Sequence, residues 1–198
     1  DDLFIIGAWN DILGFAVDLN DALAEFTQET LTLSAGIGLY PEKYPVAAMA
    51  RQTGMLEEAS KSHPGKNAVT LFDASNTFSW DDFVNGVLEE KFQLIQAFFQ
   101  AVPSDRVTSR YGKSFLYRLL GLMRERGEKI NLARYAYLLA RMEPRESDDE
   151  NYKALYQTFS QKMYHWMKDE GQCRQAMLAI MIYIYTIREQ TEGENDEN

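Results

Sequence analysis

The stretch "AVTLFDASNT", residues 68–77, decides how this chain is divided. Ala68-Val69-Thr70-Leu71-Phe72 is a short apolar run with a β-branched core, and polar residues bound it on both sides, which reads as a strand. Ala74-Ser75-Asn76-Thr77 is small and polar, and beyond Trp80 no strand pattern recurs. The expected boundary therefore falls after Asp73, with residues 74–78 as a linker.

Upstream of that stretch, strand and helix patterns alternate. Leu3-Phe4-Ile5-Ile6, closed by Gly7, predicts a strand. Ile12, Phe15, Ala16, Leu19, Leu23 and Phe26 then recur at helical spacing, and the Asn10 side chain is suited to cap that helix. Residues 31–38, LTLSAGIG, predict a second strand ending in small residues where a backbone or a ligand can come close. A helix over 46–61 follows the prolines at 41 and 45, with Met49, Thr53, Leu56 and Ala59 on one stripe. His63-Pro64-Gly65-Lys66-Asn67 is turn material. The β-α-β-α-β order implies a sheet with helices against it.

Downstream, Ser79 ahead of Trp80-Asp81-Asp82 marks a helix start with acids in its first turn. Helices are expected at about 80–101, 105–126, 130–142, 150–169 and 172–190, with breaks at Pro103, Gly127, Pro144 and Gly171. The fold class is thus α+β: a sheet-bearing part over 1–73, then an all-α bundle over 79–190. Residues 191–198 read as an acidic disordered tail.

Composition narrows the chemistry. The 198 residues are 45% hydrophobic and 25% charged, ordinary for a globular chain, and the net charge of −10 argues against non-specific nucleic-acid binding over the whole surface. That average hides an asymmetry. Between Arg106 and Arg141 lie nine basic and two acidic residues, a local +7 that leaves −17 elsewhere. Cys173 is the single cysteine and there are two histidines, so a disulfide within these residues, CxxC sites and histidine-rich metal sites are excluded, and a reducing cytoplasm is expected. The longest apolar run, residues 176–187, has 12 residues and predicts a buried core helix and no membrane span.

Asp1-Asp2 ahead of an apolar run has two readings. It is a polar chain end, or a turn presenting carboxylates to a hard cation such as Mg²⁺, which takes one or two protein carboxylates plus phosphate and water. Ser34 has small neighbours, Ala35 and Gly36, and is placed either for a local hydrogen bond or for nucleotide contact. Lys61 and Lys66 flank the Pro64-Gly65 turn, either as solvated lysines or as point charges for a triphosphate. Taken as one helix, residues 106–124 would put Arg106, Arg110, Lys113 and Arg124 within about 40° of a common direction. That ridge reads as a solvated face, or as a contact for RNA phosphates or an acidic neighbouring subunit. Tyr152, Leu155, Tyr156, Phe159, Met163 and Trp166 are expected in the core, and His165 as a packed histidine. There is no Ser-His-Asp arrangement, Walker-type loop or His-Asp nuclease motif.

In order, DDLFIIG, LTLSAGIGLY, MLEEASK and PGKNAVTLFD resemble a nucleotidyl-cyclase, ferredoxin-like palm. The stretch looks most like the large subunit of type III CRISPR effector complexes, of the Csm (III-A) kind, and SRYGKSFLYRLLGL is similar to its C-terminal helical domain. The resemblance implies that Asp1 and Asp2 are the acidic half of a Gly-Gly-Asp-Asp hairpin whose glycines lie just upstream, so that residues 1–73 are the end of the second palm. Diguanylate cyclases share the layout but usually carry Glu-Phe where this chain has Asp2-Leu3-Phe4. The resemblance further implies synthesis of cyclic oligoadenylates from ATP with Mg²⁺ or Mn²⁺, metal binding at Asp1 and Asp2, and nucleotide contact by Ser34, Lys61 and Lys66. The implied partners are the rest of the large subunit with its companion palm, the small and backbone subunits, crRNA and target RNA, and no membrane. The segment alone is expected to be inactive, and any deoxyribonuclease activity of the family to reside elsewhere in the subunit. The alternatives are a diguanylate-cyclase-like enzyme and a non-catalytic assembly module.

Overall fold

The computed structural model describes residues 3–103, 106 and 111–196, with side chains through Arg188. The chain divides into two compact units, Asp1–Val84 and Asn85–Asn198.

In the first unit, helix α1 (Trp9–Thr27) starts slightly earlier than expected. Ala8 is the extended residue before it, with no side-chain cap, and Asn10 lies inside the first turn. Leu3-Phe4-Ile5-Ile6, expected as a strand, is irregular and exposed. A strand exists only when its N–H and C=O groups are paired, and no described segment pairs with these. Strand β1 (Ala35–Ile37) keeps only the end of the expected 31–38 strand, helix α2 is Val46–Lys61, and strand β2 is Ala68–Leu71. β1 and β2 run parallel with Ala35 opposite Val69 and Ile37 opposite Leu71, so β1-α2-β2 is one crossover unit.

Residues 74–78 are more structured than the expected linker. Ala74–Asn76 form one 3₁₀ turn, capped by Asp73, whose carboxylate accepts from Ser75 N at 2.9 Å. Strand β3 (Thr77–Ser79) then pairs antiparallel with β2, Val69 opposite Phe78, completing a sheet of order β1-β2-β3. The polar Thr and Ser of so short a strand hide it from an apolar pattern search, and Phe78 is its only buried side chain. The turn out of β2 passes through Phe72 at φ 66, closed by Asp73 N to Leu71 O at 2.7 Å. Positive φ at a bulky residue costs about 1–3 kcal/mol and persists only where the surroundings impose it. Here the Phe72 N–H bond to Ile37 O, 2.8 Å, extends the ladder one residue further.

Two contacts fix α2 on the sheet. A Cβ on Gly36 would lie 2.6 Å from Thr53 O and 2.9 Å from Leu56 C, so the helix backbone occupies the space a side chain would need. Ser60, fully buried, donates to Ala35 O at 2.6 Å and meets Thr70 Oγ1 at 2.7 Å, which meets Thr77 Oγ1 at 2.8 Å. This hydroxyl chain joins α2, β2 and β3 and leaves no polar side-chain atom unpaired in their interior.

The helix start at Ser79 is as expected: Asp82 N donates to Ser79 Oγ at 3.1 Å while Ser79 Oγ donates to Asp82 Oδ2 at 2.9 Å. The chain stays helical from Trp80 to Ala101, but Asp82–Phe92 is π-helical before α3 (Gln93–Ala101). Phe83, Val87, Lys91 and Ile95 are all fully buried at a constant spacing of four.

The second unit continues with α4 (Lys113–Arg124), α5 (Lys129–Ala140), α6 (Glu150–Lys168) and α7 (Glu170–Asp196). α3 packs on α6 and α7, α4 on α5 and α7, and α6 on α5 and α7. Phe98 and Phe159 stack at the centre with centroids 4.0 Å apart and planes 8° from parallel. Leu178, Ala179, Ile180, Ile182 and Ile184 of α7 are buried, so the 176–187 run is a core helix. Three details depart from expectation. The helix expected over 105–126 is not continuous: Gly112 is extended, and α4 begins after it at Lys113. His165 is exposed, not packed. α7 runs to Asp196, into the expected tail, because extending an anchored helix adds one bond per residue without a new nucleation cost.

Candidate nucleotide edge and basic face

Ser34 and Lys66 are brought to one edge of the sheet by topology. Ser34 immediately precedes β1 and Lys66 shortly precedes β2, and these strands are parallel, so both residues lie at the N-terminal ends of their strands. The approach to β1 is fixed by Trp80, whose indole Nε1 donates to Leu33 O at 2.9 Å and whose backbone N donates to Asn67 O at 3.2 Å. One buried tryptophan thereby holds the residues beside Ser34 and beside Lys66. Lys66 itself is exposed in a turn where Gly65, Lys66 and Asn67 all have positive φ, 81, 56 and 37. Lys61, the last residue of α2, is partly exposed and pairs with Glu57 one turn earlier at 2.7 Å. An exposed pair at this spacing contributes about 0.3–0.5 kcal/mol.

Gly36 resolves one of the two readings of the small residues in SAGIG. The group that approaches Gly36 is the α2 backbone, not a ligand. Asp1 and Asp2 lie outside the described residues. Among the described residues no group of three or more His, Cys, Asp or Glu side chains is placed to hold a metal ion. Among them, too, no helix is long and apolar enough to cross a membrane.

In the second unit the expected single basic ridge is broken. Arg110 lies outside the described residues. Arg106 precedes the extended Gly112 and forms a two-pronged pair with Asp148, at 2.7 and 2.9 Å. Lys113 and Arg124 remain on one helix, at its two ends, about 16 Å apart along the axis. Tyr111 is buried and donates its hydroxyl to Arg141 O at 2.7 Å. Its ring meets Phe115 edge-on at 5.3 Å. Together Tyr111, Phe115, Arg118, Leu138 and Arg141 line a cavity of about 210 Å³. Arg118 and Arg141 belong to the basic segment of the sequence, and the aromatic pair Tyr111 and Phe115, four apart and followed by Arg118, is the sequence signal of this cavity.

Two family models match separate stretches of the chain. The family model described as "Cas10/Cmr2, second palm domain" matches residues 1–70. That described as "CRISPR RNA silencing complex Cmr2 subunit, second helical domain" matches residues 96–189. Three curated relatives carry the name "CRISPR system single-strand-specific deoxyribonuclease Cas10/Csm1 (subtype III-A)". The Mycobacterium tuberculosis protein is 41% identical over 190 residues, covering 96% of this chain and 22% of that protein. The Streptococcus thermophilus protein is 40% identical over 95% of this chain and 24% of its own length. The Enterococcus italicus protein is 39% identical over 96% of this chain and 22% of its own length. The chain thus spans less than a quarter of each of these relatives. With a palm-type β1-α2-β2 unit and a helical bundle each matched by its own family model, the chain belongs to the Cas10/Csm1 family of type III-A CRISPR large subunits.

Proposed function

We propose that this chain supplies part of the site in which a type III-A large subunit makes cyclic oligoadenylates from ATP, triggered by target RNA. The observation that carries the reading is the palm-domain match over residues 1–70, joined to a geometry that gathers Ser34 and Lys66 at one edge of the sheet. Asp1 and Asp2 are the metal-binding carboxylates. Bound Mg²⁺ or Mn²⁺ supplies charge neutralisation on the triphosphate and activation of the attacking 3′-oxygen. Ser34 hydrogen-bonds the nucleotide, and Lys61 and Lys66 hold phosphate charge. The helical unit serves contacts with RNA and with the small and backbone subunits.

The companion palm and the crRNA are partners in this reading, and the segment alone is inactive. The deoxyribonuclease activity in the relatives' name is assigned to other parts of the full subunit, and the complex to the cytoplasm. The test is the Asp1→Ala/Asp2→Ala variant of the full subunit in its assembled complex, incubated with ATP, divalent metal and target RNA. Product formation should disappear while assembly is unchanged; undiminished product would overturn the catalytic assignment. Conversion of GTP in preference to ATP would instead favour a diguanylate-cyclase-like enzyme.

A further inference from the structure

The cavity between α4 and α5 has a composition that the nucleotide edge does not use. Its walls are the rings of Tyr111 and Phe115 and the Leu138 side chain, and its charged members are Arg118 and Arg141. Tyr111 is 7% exposed and Phe115 9%, so both rings belong to the wall and are not mobile surface groups. The Tyr111 hydroxyl bond to Arg141 O ties the ring to the end of α5, and the edge-on contact with Phe115 fixes the second ring against it.

The two arginines are exposed, and neither has a carboxylate partner among the described residues. Arg141 lies over the Tyr137 ring at 5.8 Å, a contact that leaves guanidinium donors free for an anion. This part of the sequence carries a local +7 on a chain of net −10, so a negatively charged occupant is favoured and a basic one excluded. At about 210 Å³ the space falls below the roughly 300–1,000 Å³ of a drug-sized site and suits one planar ring. An aromatic wall, two guanidinium groups lining the same space and single-ring volume are a combination by which unstacked bases and their phosphates are held.

We propose that this cavity binds one unstacked nucleotide of a single-stranded RNA, its base against the Tyr111 and Phe115 rings and its phosphate on Arg118 and Arg141. The choice of RNA as the source of that nucleotide rests on the RNA-guided function proposed above; the preference for a planar ring beside a negative charge rests on the cavity alone. Arg118 and Arg141 differ from Arg106, Lys113 and Arg124 in this respect: they share one cavity, whereas Arg106 is held by Asp148 and the other two stand at opposite ends of α4.

The test uses the full-length subunit in its assembled complex, with single-stranded target RNA carrying 5-iodouridine. On irradiation a uridine adduct should map to the peptide containing Tyr111 and Phe115. Arg118→Glu/Arg141→Glu should reduce that adduct about tenfold or more, with unchanged elution of the complex, and should lower the salt dependence of RNA binding by about 0.7 in log–log slope for each phosphate no longer neutralised. Arg118→Lys/Arg141→Lys should retain most of the binding. Absence of an adduct in residues 106–141 while RNA is bound, or an adduct indifferent to charge reversal, would overturn the proposal. So would chemical cross-links from this cavity to an acidic peptide of a neighbouring subunit, which would make the occupant protein. The two readings fail separately: product from the Asp1/Asp2 variant sinks the catalytic assignment and leaves the adduct untouched, while a missing adduct with normal product sinks only the cavity.

Discussion

Arg106 and Asp148, forty-two positions apart, are joined by two parallel hydrogen bonds, Nη1 to Oδ2 at 2.7 Å and Nη2 to Oδ1 at 2.9 Å. Both side chains are 11% exposed, and Asp148 Oδ2 also accepts from Arg145 N at 2.6 Å. The pair ties the residues before α4 to the loop before α6. The Arg106 guanidinium, helped by the Arg145 N–H, holds the Asp148 carboxyl below its usual 3.8. A carboxylate made more acidic by folding stabilises the fold above its unfolded value, and the contribution is lost as pH falls through the lower, folded one. Asp148→Asn should therefore be less stable than the parent near neutral pH. Thermal melts of the two proteins at successive pH values should begin to approach one another as pH falls below about 3.8 and meet below the lower, folded value; a gap independent of pH would show that the pair is not the cause.

Lys91 is fully buried and gives its ammonium to Gly86 O at 3.1 Å, Glu90 Oε2 at 2.9 Å and Gln175 Oε1 at 2.8 Å, with the Trp166 ring 5.0 Å away. Partial burial pushes the Glu90 carboxyl up, but Lys91 and Lys162 outweigh it and hold the group below its ordinary value. Lys91→Met should cost about 3 kcal/mol in urea unfolding, since the acceptors lose their donor while staying in place. Adding Gln175→Met should recover part of that loss. A double variant less stable than the single one would show that the polar group is not the cause.

Gly36 and Gly54 make opposite predictions on one helix contact. Gly36→Ala drives a methyl into the α2 backbone at Thr53 and Leu56 and should destabilise the palm unit by about 1–3 kcal/mol or more. A methyl at Gly54, inside α2, would meet nothing within 4 Å, and Gly54→Ala should stabilise by about 0.5–1 kcal/mol. Melting temperatures of both variants give the signs directly.

Cys173 is buried, and desolvation pushes its thiol up to about 11. At about pH 8 a thiol-reactive disulfide should label it only after denaturation. Rapid labelling of the folded protein would place Cys173 at an open surface.

Much of the architecture was legible in the sequence because it depends on local pattern. α2 was bounded correctly by Pro45 and the turn after Lys61, and the buried stripe Tyr152, Phe159, Met163, Trp166 follows helical periodicity. What was missed depends on partners. β3 is visible only through its pairing with β2, and residues 3–6 show the converse, an apolar run that no described segment pairs with. The break before α4 was hidden because Tyr111 is buried at a position that continues the Phe115 and Leu119 spacing across the extended Gly112. Of the candidate site, the common edge of Ser34 and Lys66 follows from parallel pairing, whereas the Arg106 partner is distant in sequence and no local rule points to it.

The π-helical stretch Asp82–Phe92 bears on how relatives should be aligned. Each of its turns closes from residue i to i+5, so it holds more residues per turn than the α-helix that follows it. A homologue shorter by one residue in this window can keep the flanking helix continuous by reverting locally to α geometry. Gaps in this interval therefore count as changes of helical winding, and a length difference there is no sign of a loop.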